Sequence, residues 1–292
     1  MFWGSYVALI TPFRNGAVDD EAFQSIVEWH VEQGTHGLVP CGTTGESPTL
    51  THDEHMHVTE LCVTAAKGRI PVLAGAGSNS TDEAISLTRH AKECGADGAL
   101  VVTPYYNKPT QEGLYQHYKA IHDAVPDFPI VIYNIPGRSV VDMSVATMTR
   151  LAELPGIVGT KDATNDLARP LATRIAIGED FAIMSGEDAT AVPLLAQGGD
   201  GCISVTANIA PRQLAEMHNA WRAGDLETVS TINKRLLPLH DALFTETSPA
   251  PVKHAAGLLG LCGTELRLPM VEIGAATKAT VEDAMRSAGL LN

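Results

Sequence analysis

The chain has 292 residues, of which 45% are hydrophobic and 18% charged, a composition that supports one large α/β domain with an appendage, or two domains. The formal net charge of −14 argues against nucleic acid or an anionic membrane as a partner. The five cysteines are dispersed and form no Cys-x-x-Cys pair, which indicates reduced thiols rather than disulfides or zinc ligands.

Two further features concern the location of the protein. No apolar run approaches the length of a transmembrane helix, and the first residues carry no basic leader. Together with the reduced cysteines, these features predict a soluble cytoplasmic protein.

Short apolar runs alternate with helical patterns along most of the chain. The predicted strands are 6–10, 37–39, 71–74, 99–102, 130–133, 157–160, 181–184 and 202–205. The predicted helices between them lie at about 20–32, 52–66, 80–93, 111–124, 143–153, 165–176 and 188–196. The strand runs are continuous rather than alternating, as in strands that are buried on both faces. Eight such strands predict a (β/α)8 TIM barrel over residues 1–224.

The pattern changes near residue 225, after which only helical segments follow. They lie at about 226–244, 250–261 and 277–289 and predict a C-terminal helical domain over residues 225–292. Gly75-Ala76-Gly77 lacks the Gly-x-Gly-x-x-Gly spacing, so a dinucleotide-binding fold is not expected.

Polar residues follow several of the predicted strands. In a TIM barrel the active site lies at the C-terminal ends of the strands, so these residues are expected at one rim. They are Gly42–Glu46 after the second strand, 103–107 after the fourth, 133–138 at the fifth, Lys161 at the sixth, 185–187 at the seventh and 204–206 at the eighth.

Lys161 stands at the end of a buried strand rather than on a polar helix face. Apolar surroundings favour a neutral, nucleophilic amine, which is suited to form a Schiff base with a carbonyl substrate. The alternative is a structural lysine paired with Asp162 or a nearby glutamate, because buried charges also serve structure.

Three other groups at the rim complement an amine. The backbone and hydroxyls of Thr43 and Thr44 lie in a Gly-flanked turn that can hold a carboxylate. Tyr133 can exchange a proton with an imine-forming carbinolamine, and Arg138 can bind a second carboxylate through its planar fork. Taken singly, these residues also fit a capped turn, a structural tyrosine and a surface arginine.

Three rival interpretations remain at this point. Cys41 is a possible nucleophile, but no activating base accompanies it, which favours a buried structural thiol. His52, His55 and His57 lack His-Glu-x-x-His spacing, so a catalytic metal is not expected. The Gly-rich segments at 186 and 198–201 allow a phosphate site, which would leave Lys161 and Tyr133 without a role.

Five motifs together resemble the dihydrodipicolinate synthase family of pyruvate-dependent class I aldolases. They are Gly42-Thr-Thr-Gly-Glu46, Val102-Thr-Pro-Tyr-Tyr106, Tyr133-Asn-Ile-Pro-Gly-Arg138, Gly159-Thr-Lys161-Asp and Gly201-Cys-Ile-Ser-Val-Thr-Ala-Asn208. The resemblance extends over essentially the whole chain. Arg138 distinguishes it from N-acetylneuraminate and sugar-acid lyases, which use the same imine and are the alternative enzymatic reading.

The resemblance implies a reaction and a set of roles. Pyruvate forms an imine with Lys161, and its enamine attacks L-aspartate 4-semialdehyde in the diaminopimelate route to lysine. Tyr133, Thr44 and Tyr106 are implied to form a proton relay, with Tyr106 supplied by a neighbouring subunit. Residues implied to bind substrate are Thr43, Thr44, Arg138, Gly186 and Ile203.

The resemblance also implies regulation and assembly. Lysine would act as a feedback inhibitor at Ser47, His52, His55, Asn79, Glu83 and Tyr105, although Pro48 replaces an alanine of the lysine-sensitive bacterial form. The implied assembly is a homotetramer built from two dimers, and no cofactor or metal is implied. A non-catalytic pyruvate or lysine sensor is disfavoured, because each relay residue is present.

Overall fold

A computed structural model describes residues 2–292 of the chain. Its ten strands, numbered β1 to β10 along those residues, are Gly4–Ala8, Phe13–Arg14, Ala17–Val18, Gly37–Val39, Leu73–Gly75, Gly98–Val102, Ile130–Asn134, Ile157–Asp162, Ala182–Ser185 and Gly201–Ser204. The strands other than β2 and β3 belong to one eight-stranded sheet, and their residues are almost all buried.

Twelve α-helices, α1 to α12, are present among the same residues. They are Asp20–Glu32, His52–Ala66, Thr81–Glu93, Gln111–Ala124, Pro136–Ser139, Val145–Ala152, Arg169–Ile177, Ala191–Ala196, Pro211–Ala223, Leu226–Ala242, Ala250–Leu258 and Ala275–Ser287. Eight parallel strands with helices between them and three helices at the end make a (β/α)8 barrel with a C-terminal helical extension, as the sequence predicted.

The chain divides into two compact units. Of the described residues, the first unit comprises 2–3 and 72–203, and the second comprises 4–71 and 204–292. In the first unit, β5 to β10 pair in chain order and in parallel, so neighbouring strands are joined by the helix that follows each. The boundary predicted at residue 225 stays a prediction.

In the second unit, β1 pairs in parallel with β4, and β2 pairs with β3 as an antiparallel hairpin. The Asn208 side chain accepts a hydrogen bond from the Ile10 amide at 3.0 Å and donates one to the Ala8 carbonyl at 2.7 Å. These bonds replace ladder bonds, which is why the first strand ends at Ala8 rather than at the predicted residue 10.

The sequence interpretation missed the hairpin and two helices, α5 and α9. Asn15 and Gly16 both have positive φ, so they form a tight turn between two strands of only two residues. Helix α9 begins at Pro211 and is followed by Gly224. Proline is common at the first position of a helix, and glycine is common just after its last residue. Within residues 2–292, no helix combines the length and apolar character needed to cross a bilayer.

Candidate active site

Lys161 and Tyr133 lie side by side on adjacent strands. They are register partners of β8 and β7, so their side chains project from the same side of the sheet. Both are buried, with exposed fractions of 6% each. The Lys161 Nζ lies 4.2 Å from the centre of the Tyr133 ring, within the range of a cation–π contact. The sequence therefore placed the amine and the phenol on neighbouring strands correctly.

Gly186 provides the space in which the Lys161 side chain lies. A Cβ built at Gly186 would be 3.1 Å from Lys161 Cε and 2.6 Å from Ala163 Cβ. The second distance is too short for two carbon atoms, so a larger residue would have to displace this part of the chain. The absence of a side chain at residue 186 is thus a steric requirement.

Acidic residues after β9 add negative charge near the lysine. Burial raises the pKa of the Glu187 carboxyl, and the nearby Asp188 adds to that rise. The positive charges of Lys161 and Arg138 oppose it. Asp188 is buried, whereas Arg138 is exposed on the short helix α5. The first unit therefore brings an amine, a phenol, a guanidinium and two carboxylates into one electrostatic environment.

Asp162, the alternative partner for Lys161, faces elsewhere. Its Oδ2 lies 3.1 Å from Arg169 Nε, and its Oδ1 accepts hydrogen bonds from the amide and hydroxyl of Thr164. Because side chains alternate along a strand, Asp162 projects to the opposite side of the sheet from Lys161. A simple Lys161–Asp162 ion pair is therefore wrong.

Ile203 lies in β10 and is fully buried. Its neighbour Cys202 is buried as well, and burial with the nearby Asp188 raises the pKa of the thiol well above its usual value, although Lys161 opposes the shift. Cys202 therefore remains a protonated packing residue beside the charged groups.

The Gly42–Glu46 loop in the second unit is a compact turn. The amides of Gly45 and Ser47 donate to the Gly42 carbonyl, and the Thr11 hydroxyl donates to the Gly45 carbonyl at 2.7 Å. Thr44 is 4% exposed and Thr43 is half-buried. The loop is thus a rigid element whose shape is set by its own backbone bonds.

Glu46 ends this loop and is held by a buried cation. Its Oε1 lies 2.5 Å from Lys253 Nζ, and its Oε2 accepts a hydrogen bond from the Arg267 amide at 3.1 Å. Lys253 and Arg267 also lie over the Phe13 ring, at 4.1 and 4.3 Å from its centre. Burial lowers the pKa of Lys253, and the Glu46 carboxylate opposes that shift.

The residues of the implied lysine site fall in both units. In the second unit, Ser47 is half-buried, His52 is exposed at the first turn of α2, and His55 is 7% exposed. In the first unit, Glu83 accepts a hydrogen bond from the Ser78 hydroxyl, and the Asn79 carbonyl accepts one from Asn107.

Tyr105 and Tyr106 follow β6 and point into solvent. Their exposed fractions are 37% and 88%, and Tyr106 has φ of 71°, a left-handed conformation that is rare for an aromatic residue. An exposed tyrosine in a fixed turn is a group presented outward from its own chain.

The rival interpretations receive no support from the geometry. Burial raises the pKa of Cys41 to about 12, which is unsuited to a nucleophile. His57 pairs with Asp20 at 2.8 Å, and residues 2–292 contain no group of three metal-ligating side chains. At the Gly-rich segment 198–201, the Arg174 guanidinium donates to the Gly198 carbonyl and lies 2.8 Å from Asp200. Its charge is therefore already paired, which disfavours a phosphate site there.

Sequence reasoning missed Glu46, Lys253 and Arg169 as supporting groups. Lys253 had the same signal as Lys161, since it is a lysine inside the apolar stretch 250–256. Arg169 stands in the first turn of α7, where the helix dipole disfavours a cation. A charge at an unfavourable position indicates a specific partner.

Comparisons with known proteins agree with this geometry. The model of the Dihydrodipicolinate synthetase family matches residues 1–288. A 4-hydroxy-tetrahydrodipicolinate synthase of Rhodospirillum centenum is 68% identical over 291 residues, covering 100% of both chains. A dihydrodipicolinate synthase structure from Aquifex aeolicus has a TM-score of 0.97 at 48% identity, covering 99% of both chains.

Two ligand-bound structures are also similar. The Acinetobacter baumannii dihydrodipicolinate synthase complexed with pyruvate has a TM-score of 0.97 at 48% identity, covering 100% of both chains. The Cyanidioschyzon merolae enzyme with lysine bound has a TM-score of 0.95 at 40% identity, covering 99% of both chains. The chain belongs to the dihydrodipicolinate synthetase family.

Proposed function

We propose that the protein is a 4-hydroxy-tetrahydrodipicolinate synthase that condenses pyruvate with L-aspartate 4-semialdehyde through an imine on Lys161. The observation that carries the proposal is the buried Lys161 Nζ, 4.2 Å from the centre of the Tyr133 ring. The family match and the name of the 68%-identical relative support the same reaction, which makes the protein a lyase of the class I aldolase type.

The first half of the reaction activates pyruvate. The Lys161 amine attacks the ketone carbon, and the resulting carbinolamine loses its hydroxyl as water to give a protonated imine. This imine accepts the electron pair that remains when the methyl group loses a proton, which gives an enamine. The ring of Tyr133 is adjacent to Nζ, and we assign to its hydroxyl the supply and removal of these protons.

The second half joins the two substrates. The enamine carbon attacks the aldehyde carbon of the semialdehyde, which forms a carbon–carbon bond and leaves an alcohol. The amino group of the semialdehyde then displaces Lys161 from the imine carbon, which closes the ring and frees the enzyme amine. Arg138, exposed at the rim, is the group we assign to the semialdehyde carboxylate.

The remaining site assignments belong to the same proposal. Thr43 and Thr44 receive the pyruvate carboxylate, Gly186 leaves room for the imine, and Ile203 contributes backbone contact. Tyr133 and Thr44 of one subunit form the relay together with Tyr106 of the partner subunit. Its exposed fraction of 88% supports this role, because an outward-facing tyrosine is available to a neighbour.

Steady-state kinetics with pyruvate and the semialdehyde tests the reaction. The wild type should turn over this pair and not N-acetylneuraminate or a 2-keto-3-deoxy sugar acid. The Lys161→Met variant should lose activity, while Tyr133→Phe should keep pyruvate binding and lose about 100-fold in kcat, the usual contribution of one proton-transfer group. Turnover of a sugar acid alone would instead establish the alternative pyruvate aldolase.

Lysine inhibition, cytoplasmic location and a tetramer are the finer parts of the proposal. The lysine-bound Cyanidioschyzon merolae structure supports an effector site, for which we propose Ser47, His52, His55, Asn79, Glu83 and Tyr105. Glu83 would receive the effector ammonium. Inhibition by added lysine that Glu83→Gln relieves, without a change in uninhibited kcat, would support this site, and equal inhibition of both proteins would contradict it. Light scattering decides between a dimer and a dimer of dimers.

A further inference from the structure

A second polar cluster lies on the other side of the sheet from the reactive pair. Asn134 follows Tyr133 in β7, Asp162 follows Lys161 in β8, and the two are register partners one step beyond the reactive pair. Because side chains alternate along each strand, both project away from the reactive amine. Asn134 is fully buried and Asp162 is 6% exposed, so these two side chains are part of the interior.

Arg169 joins the members of this cluster. Its Nε lies 3.1 Å from Asp162 Oδ2, its Nη1 lies 3.4 Å from Asp142 Oδ1, and its Nη2 donates to the Met143 carbonyl. The side chain is 9% exposed. One guanidinium thus contacts the end of β8 and the residues Asp142 and Met143, which follow the loop that carries Arg138.

Asn134 completes the connection to β7. Its side-chain Nδ2 donates to Asp142 Oδ1 at 2.7 Å, and its Oδ1 accepts a hydrogen bond from the backbone amide of Met143 at 3.0 Å. The same two residues, Asp142 and Met143, are therefore held by Asn134 from β7 and by Arg169 from α7. This network fixes the ends of both strands and the intervening loop relative to one another.

We propose that Arg169 is a positioning residue for the reaction, because it holds the strand ends that keep the Lys161 amine beside Tyr133. The inference rests on the proposed imine function. Arg169 touches neither reactive side chain, so it acts through the backbone. A planar cation suits this role, because Asp162, Asp142 and the Met143 carbonyl lie against three different nitrogens of the guanidinium, whereas an ammonium offers a single nitrogen.

The experiment measures how fast Lys161 forms its imine. Each protein is mixed with saturating pyruvate, quenched with borohydride at increasing times, and digested. Mass spectrometry then gives the modified fraction of the peptide that contains Lys161. The variants are Arg169→Lys, Arg169→Met and a matched control, Arg150→Met. Arg150 is half-exposed on α6 and pairs with Glu112 at 3.0 Å, rather than with Asp162, Asp142 or Met143.

We expect Arg169→Lys to melt near the wild type but to form the imine about 10- to 100-fold more slowly, the scale expected for small misplacement of a reacting group. Arg169→Met should be at least as slow, and Arg150→Met should equal the wild type. The Michaelis constant for pyruvate should change less than the rate, because Arg169 does not bind substrate.

Three results would overturn the proposal in distinguishable ways. A folded Arg169→Lys that forms the imine at the wild-type rate would refute the positioning role alone. Should Arg169→Met fail to fold, the Arg169→Lys rate decides. Absence of modification at Lys161 in the wild type would refute the imine function and, with it, this inference. An equal slowing in Arg150→Met would show that the effect is not specific to the network.

Discussion

Replacing Lys253 with methionine removes the cation behind the Gly42–Glu46 loop and tests the energetics of that buried pair. The Lys253 Nζ lies 2.5 Å from Glu46 Oε1 and donates to the Glu265 carbonyl at 2.8 Å. Lys253 is fully buried and Glu46 is 3% exposed. Methionine is similar in length, so the substitution removes the charge without opening a large cavity.

The expected cost follows from what is left behind. Glu46 would become a buried carboxylate without its cation, and breaking such a pair from one side costs about 3–5 kcal/mol. At roughly 2 °C per kcal/mol for a large chain, the melting temperature should fall by about 6–10 °C. Calorimetry at one scan rate measures this change, and circular dichroism at low temperature checks that the variant is folded.

A double-mutant cycle gives the decisive comparison. Glu46→Gln combined with Lys253→Met removes both charges, so the double variant should be more stable than the sum of the two single changes predicts. The matched control is Lys119→Met, because Lys119 pairs with Asp123 on an exposed helix face and its loss should leave the melting temperature unchanged. Additive costs in the cycle, or a Lys253→Met protein that melts like the wild type, would refute the reasoning.

Two further predictions concern the lysine pocket and acid stability. Gly186→Ala should lower kcat at least 10-fold, because its Cβ would lie 3.1 Å from Lys161 Cε. Gly137→Ala should be as active as the wild type, because its added Cβ would meet no atom within 4 Å beyond its own short helix and chain neighbours. Equal kinetics of the two variants would contradict this reasoning. Burial lowers the pKa of His30 to about 3, so below pH 6.5 the unfolded chain binds a proton that the folded protein does not bind. His30 should therefore contribute a loss of stability of about 2 kcal/mol from pH 7 to pH 5. Urea unfolding of His30→Asn should show a correspondingly smaller loss over that interval, and an unchanged loss would remove His30 as its cause.

The barrel could be predicted because its determinants are local. Each parallel strand is buried on both faces and is therefore a nearly continuous apolar run in the sequence, as in Ile130–Asn134. In each helix, apolar residues recur with the helical period instead. The same periodicity placed Lys161 at a strand end, and knowledge of where barrels keep their active sites placed Tyr133 near it. The observed register of Tyr133 with Lys161 agrees with that expectation.

The supporting groups could not be predicted because their partners are distant in sequence. Lys253 meets Glu46 through tertiary packing, and no local pattern specifies that pair. Alternation along the strand already predicted that Asp162 points away from Lys161, but its actual partner, Arg169, could not be predicted. Local chemistry thus predicts the proposed reactive groups, whereas the residues that hold them are defined only by tertiary contacts.

The most direct test of the central claim is reductive trapping of pyruvate on the native enzyme. Protein incubated with pyruvate and borohydride should gain, on the peptide that contains Lys161 and on no other, the mass of one pyruvic acid less one oxygen atom. Activity should fall in parallel with the modified fraction, and Lys161→Met should remain unmodified. An unmodified Lys161 peptide in wild-type protein that still consumes pyruvate would contradict the imine mechanism.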